Sequence, residues 1–489
     1  MWKNALKIIA FCLLVFGMLS IILRICNSPD IMGGGGGWQR FYQAKENSID
    51  VMVFGSSHAH CTVDHGLLWD EYGIAAFTLS AGSQELDSTY FCVREALETQ
   101  KPKVIMIEML GAIKRENIQN SDTSAYRNSL GMRWSQSFFA YMKYLSENMD
   151  MSHDEKQEIV AKIPIIHTRY SELKENDFYD NIAFMRGYRG SFERVSFTAP
   201  TTSSITDTME LVPERLEMLQ NIVDYAKSKD VQVLLFASPF MITDEQQMRL
   251  NYISEFAEKN DIGFIDFNHM YNEISIDFEQ DFRDEAHVNN YGAAKVTNYL
   301  ANILAKQYDV PDRRNDSGYE LWDKNALYLR NKTLRYELGQ ASDINEYLKK
   351  LSDVPDNQMI ILTLNGNYKA LGDVYLEGLQ TLGITKDEYE TGGAWVYQGK
   401  NMVSHYPGNQ YNQCMITESG EIHIESSTAS DEDGNVIEKA NVIINGKDYK
   451  LVENGVNIVV YCKEINQIVD VAGDDVYLGL EMTHNVPDE

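Results

Sequence analysis

Short apolar runs separated by segments with helical spacing are the feature of this sequence that most restricts its fold. Five such runs, none of which alternates apolar and polar residues, occupy residues 49–54, 74–79, 104–110, 231–237 and 264–267. Between the second and third runs, apolar side chains recur at the spacing of one helix face, at Leu86, Tyr90, Val93 and Leu97. Continuous apolar strands joined by helices are typical of a parallel sheet that is covered on both faces. The sequence therefore predicts a five-stranded α/β domain over residues 48–308.

Three further regions do not follow this alternation of strands and helices. Residues 111–210 are too long for an ordinary connection between a strand and a helix. Two alternatives are open for them: a helical elaboration on the edge of the domain, or a lid over the strand ends that recognises substrate. Residues 309–345 are polar and are predicted to be a connector. The rest of the chain, residues 346–489, is predicted to form a separate, smaller α+β domain.

An uncharged apolar run near the N-terminus predicts a membrane anchor. Extended to residues 5–26, this run is long enough to cross a bilayer as a helix. Lys3 and Lys7 precede its uncharged part, residues 8–23, and only Arg24 follows that part closely, which predicts a cytoplasmic N-terminus and an extracytoplasmic body in the cell membrane. A cleaved signal peptide is the alternative, but no small-residue cleavage site follows the run. Residues 27–47 contain five consecutive glycines and are predicted to be a flexible spacer, unless the glycines were left by cloning.

Charge and cysteine content argue against several classes of function. The chain has 43 Lys and Arg against 72 Asp and Glu, a formal charge of −29, which repels nucleic acid phosphates. Its six cysteines are scattered and form no CxxC pair, so a disulfide scaffold, a structural zinc site and an iron–sulfur cluster are all disfavoured. We predict no nucleic acid partner, no metal and no cofactor.

Polar motifs follow three of the predicted strands, where they indicate a nucleophilic site. They are residues 56–58, 80–83 and 284–287. The carboxyl ends of parallel strands lie at one edge of the sheet, where ligands bind in such folds. Asp284 and His287 are close enough in sequence for one turn to direct the carboxylate toward the imidazole, which predicts a Ser57–His287–Asp284 triad. The backbone N–H groups of Ser57 and Gly82 are the predicted oxyanion hole.

These motifs resemble the SGNH (GDSL-like) hydrolase superfamily over residues 48–308. Gly55-Ser56-Ser57 is similar to its nucleophile block, Gly82 to its oxyanion glycine, and Asp284 with His287 to its last block. The resemblance implies a flavodoxin-like sheet and a serine esterase or acyltransferase that requires no cofactor. The third block of the family, Gly-x-Asn-Asp, is absent, and Leu110-Gly111-Ala112-Ile113 stands in its place. Loss of that donor weakens an oxyanion hole by roughly 2.7–4 kcal/mol, unless another donor, for example from the insertion, replaces it.

With its N-terminal anchor, the chain resembles the membrane-anchored branch of that superfamily. This branch includes the D-alanyl transfer protein of teichoic-acid modification and partners of membrane-bound O-acyltransferases. The resemblance implies an esterase or O-acyltransferase that acts on acyl groups of cell-envelope polysaccharide, with a membrane-bound O-acyltransferase as a possible partner. The alternative is a non-catalytic accessory or glycan-binding protein of such a system, which the missing third block supports.

The C-terminal region resembles the interleukin-like EMT-inducer (PANDER-type) domain. The motifs that carry the resemblance are residues 455–461 with 467–470, and residues 359–371 with 379–383. Their order is reversed relative to the family, as in a circular permutation, and Asn365-Gly366-Asn367 stands where the family tends to have acidic residues. Such domains occur in carbohydrate-active proteins, which implies glycan binding only loosely. A structural or partner-docking module is the alternative.

Several residues near the predicted nucleophile allow more than one interpretation. His58, His60 and His65 with Asp64 suggest a metal site, since histidine pairs can ligate zinc, but ordinary packing of loop residues is the preferred interpretation. We predict instead that His58 contacts substrate. In the insertion, His167 and Arg169 are further candidates for binding an anionic or carbohydrate substrate. A structural role is the preferred alternative for both.

Overall fold

The computed structural model divides the chain into two compact units, Met1–Ala326 and Leu327–Glu489. It describes residues 2–26, 35–115, 131–148, 186–408, 411–417, 420–430, 436–478 and 482–485, and six single positions between 154 and 173.

The first unit is built on a five-stranded parallel sheet with the order β2-β1-β3-β4-β5. Its strands are β1 (Val51–Gly55), β2 (Ala76–Ser80), β3 (Val104–Glu108), β4 (Gln232–Ala237) and β5 (Gly263–Asp266). Each of the five predicted apolar runs contains or overlaps one of these strands. The predicted α/β fold with a parallel sheet is confirmed, and its strand order is the flavodoxin-like one.

Helices cover both faces of this sheet. Alternate residues of each strand point to opposite sides: Met52 and Phe54 join one buried apolar cluster, while Val51 and Val53 join another. This is why the strand sequences are apolar throughout. The helices that the structure describes in the first unit are α1 (Trp2–Cys26), α2 (Gly35–Gln43), α3 (Ser57–Thr62), α4 (His65–Tyr72), α5 (Leu86–Ala96), α6 (Gln136–Asn148), α7 (Pro213–Ser228), α8 (Asp244–Lys259) and α9 (Asn290–Gln307), with α10 (Glu320–Gly339) crossing into the second unit.

Within the insertion, α6 packs on α5. The rings of Phe91 and Tyr141 stack at 4.7 Å between centroids, and the hydroxyls of Ser88 and Tyr141 share a hydrogen bond of 2.5 Å. This part of the insertion therefore packs on a helix that covers the sheet, and the choice between an edge elaboration and a lid stays a prediction.

The N-terminal helix α1 contains a segment, Asn4–Leu23, that is long and apolar enough to cross a membrane, with a mean hydropathy of 2.7. None of this segment is buried against the rest of the protein. A helix of this composition is consistent with the predicted anchor.

The second unit consists of two antiparallel sheets with short helices. A six-stranded sheet has the order β15-β14-β13-β6-β7-β8 and a four-stranded sheet the order β12-β11-β10-β9. In the first, β6 pairs with β13 from Gln358↔Cys462 to Asn365↔Gly455, so the two motifs of the C-terminal resemblance lie side by side. The elements are α11 (Ile344–Leu351), β6 (Gln358–Asn365), α12 (Leu376–Thr381), α13 (Lys386–Thr391), β7 (Gly393–Gln398), β8 (Asn401–Pro407), β9 (Asn412–Thr417), β10 (Gly420–Ser430), β11 (Val436–Ile444), β12 (Lys447–Asp448), β13 (Gly455–Cys462), β14 (Gln467–Asp475) and β15 (Met482–His484).

Candidate active site

The turn that carries Ser57 connects β1 to α3. Ser56 precedes the helix, and its side-chain oxygen accepts a hydrogen bond of 3.3 Å from the N–H of His58. Gly55 has φ = 145°, and a Cβ atom there would lie 2.7 Å from the Cβ of Glu108. A glycine is therefore required for the chain to turn this close to β3. Ser57 follows at the first position of the helix and is partly exposed at the strand ends.

A second local structure, the loop before α9, carries Asp284 and His287. A β-bridge between Phe282 and Val288 closes this loop at its base. Inside it, the Asp284 carboxylate accepts hydrogen bonds from the N–H groups of Ala286 at 2.8 Å and His287 at 2.9 Å. These two bonds hold the Asp284 carboxylate against the backbone of its own loop, independently of its contact with the His287 side chain.

The structure brings Ser57, His287 and Asp284 into one hydrogen-bonded chain. Ser57 Oγ lies 2.7 Å from His287 Nε2, and His287 Nδ1 lies 2.8 and 3.0 Å from the two oxygens of Asp284. With a proton on Nδ1, the imidazole donates to Asp284 and accepts from the Ser57 hydroxyl at Nε2. The His287 side chain is 17% exposed, so the imidazole is accessible to solvent. This is the geometry of a nucleophile, a base and an orienting carboxylate.

An extended segment at the end of the insertion links the two local structures. This segment, residues 186–197, is called here the strap. Its Arg189 N–H donates to the carbonyl of His60 in α3 at 2.7 Å. Further along, the Val195 N–H donates to the carbonyl of Phe282 at the base of the Asp284–His287 loop at 2.9 Å. The strap thus fixes the loop relative to the helix of the nucleophile, although no spacing in its sequence predicts this.

Burial and charge act in opposite directions on the two ionisable members of the chain. Burial lowers the pKa of His287 below 6.5, and the hydrogen bond and negative charge of Asp284 only partly oppose it. For Asp284 burial raises the pKa, but the hydrogen bonds from Ala286 and His287 and the charges of His287 and Arg283 outweigh it, so that its pKa is lowered from 3.8. At neutral pH the site therefore holds a neutral imidazole beside a carboxylate, which is the state that a general base requires.

This electrostatic state predicts the pH dependence of any reaction at Ser57. Protonation of His287 removes the lone pair at Nε2, so kcat/KM for p-nitrophenyl acetate is expected to fall as pH falls through the pKa of His287. Because that pKa is lowered, the midpoint is expected below pH 6.5 and a plateau above it. The measurement is a pH–rate profile of the full-length protein in detergent. A midpoint well above pH 6.5 would contradict the protonation state described here.

The other predicted oxyanion donor lies in the loop after β2. Gly82 is partly exposed there, and a Cβ added to it would meet no atom within 4 Å, so the space beside it is open. The adjacent Ser83 carbonyl lies 3.5 Å from Nζ of Lys114, and Lys114 is held by Glu85 at 2.5 Å. Lys114 directly follows residues 110–113, the segment in the loop after β3. Sequence reasoning missed this lysine, although a cation placed directly after that segment is a signal that could have identified it.

The histidines that suggested a metal site have other partners. His60 Nδ1 lies 2.8 Å from Ser80 Oγ, and His65 Nε2 lies 2.8 Å from Thr78 Oγ1. Asp64 caps α4 by accepting from two backbone N–H groups. Burial lowers the pKa of His65 to about 3 and that of His60 well below 6.5, so both are neutral. Across the described part of the chain, no group of three or more His, Cys, Asp and Glu is arranged to hold a metal ion.

His58, predicted to contact substrate, is only 2% exposed. Its ring lies 5.3 Å from that of His287 and 5.1 Å from that of Phe240, both in edge-to-face contact. Burial lowers its pKa to about 3, so the ring is neutral. His58 thus forms part of the wall behind His287, and a contact with substrate stays a prediction. His167 and Arg169, the other candidates for substrate binding, lie outside the described residues.

Comparison with known proteins yields similar solved structures but no family. No family model matches the sequence, and no curated protein matches it. Among solved structures, a proposed acylhydrolase from Bacteroides fragilis is 12% identical, with a TM-score of 0.28. The match covers 56% of this chain and 95% of the acylhydrolase chain. A proposed GDSL-like lipase from Parabacteroides merdae is 11% identical, with a TM-score of 0.25. The match covers 54% of this chain and 98% of the lipase chain. Similarities this weak do not establish a function for this chain.

Proposed function

We propose that the protein is a serine esterase or acyltransferase of the SGNH type, with Ser57 as nucleophile, His287 as general base and Asp284 as its orienting partner. The observation that carries the proposal is the hydrogen-bonded chain from Ser57 Oγ to His287 at 2.7 Å and from His287 to Asp284 at 2.8 Å. It lies at the carboxyl edge of a parallel sheet, where ligands bind in such folds.

The reaction proceeds in two steps. Ser57 Oγ attacks the acyl carbonyl while its proton passes to His287 Nε2, and the N–H groups of Ser57 and Gly82 stabilise the oxyanion. His287 then returns the proton to the departing alkoxide, which leaves an acyl ester on Ser57. In the second step, water or a sugar hydroxyl loses its proton to His287 and attacks this ester. The bond between the acyl carbon and Ser57 Oγ breaks, His287 returns its proton to Oγ, and the free acid or the acylated acceptor is released.

The proposed substrate is an O-acyl group of cell-envelope polysaccharide. Its support is the apolar helix, whose Asn4–Leu23 segment is long enough to span a membrane. Lys3 and Lys7 before the uncharged residues 8–23 favour a cytoplasmic N-terminus, which puts the body outside the cell membrane. The resemblance to anchored SGNH proteins and to a PANDER-type domain supports the same substrate class and a membrane-bound O-acyltransferase as partner.

A non-catalytic accessory or glycan-binding role is the second candidate. The observation that favours it is the loop after β3, where Gly111 and its neighbours replace the block that supplies an asparagine amide in SGNH hydrolases. Without that donor the oxyanion hole rests on backbone N–H groups and on any donor that replaces it. A protein of this kind would keep the fold and bind acylated glycan without turnover.

Hydrolysis and transfer differ only in the acceptor of the second step. Transfer requires that a bound hydroxyl is positioned and that water is excluded, and good orientation supplies effective molarities of about 10⁵–10⁸ M. The insertion is long enough to contribute to such a site, and an anchor would keep it near membrane-proximal polymer. We therefore propose transfer to a sugar hydroxyl as the preferred reaction.

The test uses the full-length protein in detergent with p-nitrophenyl acetate as donor, with and without oligosaccharide released from cell-envelope polysaccharide. We expect acetylated oligosaccharide that is absent when Ser57→Ala replaces the wild type. If acetate is the only product and acetylated oligosaccharide is deacylated, the protein is an esterase. If neither reaction occurs but the oligosaccharide binds, the accessory role is correct.

A further inference from the structure

A buried carboxyl group lies directly beneath the turn that carries Ser57. Glu108 is the last residue of β3 and is 2% exposed. One of its oxygens accepts a hydrogen bond of 2.8 Å from the hydroxyl of Ser56. The other accepts a hydrogen bond of 2.7 Å from the N–H of Leu110. The Glu108 side chain therefore joins the turn after β1 to the loop after β3.

Burial at this position is energetically unfavourable for a carboxyl group. Among the residues that the structure describes, the one basic group within 4 Å is His58 Nδ1, at 3.8 Å, which is too far for a hydrogen bond. Burial raises the pKa of Glu108 to about 7, against the lowering effects of the Ser56 hydroxyl, the N–H groups of Leu110 and Ser56, and the charge of Lys114. A costly buried carboxyl beside a candidate site is typical of a functional role.

Glu108 is connected to each part of the site through one intervening residue. The Ser56 hydroxyl donates to Glu108, so its lone pair is directed at the N–H of His58, and the backbone on both sides of Ser57 is fixed. The His58 ring lies between Glu108 and His287, at 5.3 Å from the His287 ring. The position of Ser57 Oγ and the wall behind the imidazole thus depend on the same carboxyl group.

The same carboxyl group also holds the loop after β3, through its hydrogen bond with the Leu110 N–H. The Leu110 N–H bond places Gly111 so close to the loop after β2 that a Cβ on Gly111 would lie 3.1 Å from the carbonyl oxygen of Gln84. That neighbouring loop carries Gly82, the predicted oxyanion donor. Glu108 therefore links the nucleophile turn with the loops where the oxyanion would be bound.

We propose that Glu108 is a positioning residue of this site: through Ser56, His58 and Leu110 it holds Ser57 within hydrogen-bond reach of His287 in a protein that lacks the Asn block. The proposal rests on the proposed function, because the role is defined for the reaction at Ser57. Glu108 touches no reacting atom. Its contribution is the orientation that an ester attack requires, and a misplacement of about 1 Å costs about 10²-fold in rate.

The test compares Glu108→Gln and Ser56→Ala in the full-length protein, with p-nitrophenyl acetate as substrate. The introduced glutamine retains an acceptor for the Leu110 N–H, but its NH₂ group cannot accept from the Ser56 hydroxyl. The donation that orients Ser56 is therefore lost, and the NH₂ group competes with the His58 N–H for the lone pairs of the Ser56 hydroxyl. We expect each variant to lower kcat about 10- to 100-fold with KM changed by less than about two-fold. Because both remove the same contact, the double variant is expected to be no slower than the slower single variant.

Glu95→Gln is the matched control, since Glu95 is a fully buried glutamate in α5 that accepts from Tyr42, Arg133 and Ser135 away from the site. It is expected to change the melting temperature but to leave kcat within about two-fold of wild type. Wild-type kcat in Glu108→Gln, or effects that multiply in the double variant, would overturn the proposal. Ser56→Ala keeps the test valid if Glu108→Gln does not fold. A wild type that neither hydrolyses ester nor reacts with a fluorophosphonate would instead overturn the proposed function, and the role of Glu108 with it.

Discussion

Replacing Ser57 with alanine is expected to lower ester hydrolysis by about 10³- to 10⁶-fold, the range seen when a serine nucleophile is removed. The Ser57 hydroxyl lies 2.7 Å from the imidazole that would take its proton, and no other hydroxyl is described within hydrogen-bond distance of His287. The Ser57→Ala protein should retain its fold, because only the Oγ atom of a partly exposed residue is lost. The measurement is kcat/KM for p-nitrophenyl acetate, with circular dichroism as the check of folding.

Ser228→Ala is the matched control for this prediction. Ser228 is an exposed serine at the end of α7 whose hydroxyl bonds only locally, to the Tyr225 carbonyl at 2.6 Å. Its replacement is expected to leave kcat/KM within about two-fold of wild type. A Ser57→Ala protein with more than about a tenth of wild-type activity would show that hydrolysis takes place elsewhere.

Asp284→Asn is expected to lower kcat by about 10⁴-fold while leaving the loop intact. The amide oxygen of the introduced asparagine can still accept from the N–H groups of Ala286 and His287, so the local fold is retained. Its NH₂ group, however, would replace the oxygen that lies 3.0 Å from Nδ1 of His287, where it repels an N–H on Nδ1 and so favours the tautomer with the proton on Nε2. That tautomer cannot accept the proton of Ser57.

The control for Asp284→Asn is Asp277→Asn. Asp277 also caps a turn, by accepting from the Glu279 N–H at 2.8 Å, but no histidine of the described residues pairs with it. We expect its kcat to stay within about two-fold of wild type. If Asp284→Asn had the same small effect, the Asp284 carboxylate would serve only to shape the loop.

The sheet was predictable because its strands are buried on both faces and so are apolar throughout. Their ends were less predictable. The apolar run 104–110 predicts a strand that extends to Leu110, yet β3 ends at Glu108. After Glu108 the chain turns, and the N–H of Ala112 donates to the carbonyl of Met109 at 2.9 Å. A turn formed from apolar residues leaves no mark in hydrophobic periodicity.

The contacts of the candidate site are of two kinds, some between residues close in sequence and some between residues far apart. The contact between Asp284 and His287 joins residues three positions apart, so their spacing alone suggests it. The contact between His287 and Ser57 joins residues 230 positions apart and depends on the order of the strands. It was inferred only because the carboxyl ends of parallel strands share an edge.

Glu108 and the strap were missed for different physical reasons. Glu108 stands as a lone charge in the run VIMIEML and was assigned to a strand; an unpaired carboxylate within a buried strand is the signal that could have identified it. The strap has an extended backbone fixed by main-chain hydrogen bonds to α3 and to the Asp284–His287 loop. Such bonds depend on geometry and not on side-chain identity, so the sequence carries no pattern for them.

The central claim is that Ser57 is an activated nucleophile, and covalent labelling tests it most directly. The full-length protein in detergent is treated with a fluorophosphonate, and the adduct is located by mass spectrometry of peptides. We predict one adduct, on Ser57, that is absent in Ser57→Ala and forms far more slowly in His287→Ala. The absence of any adduct under conditions that label a known serine hydrolase, or an adduct that persists in Ser57→Ala, would contradict the account.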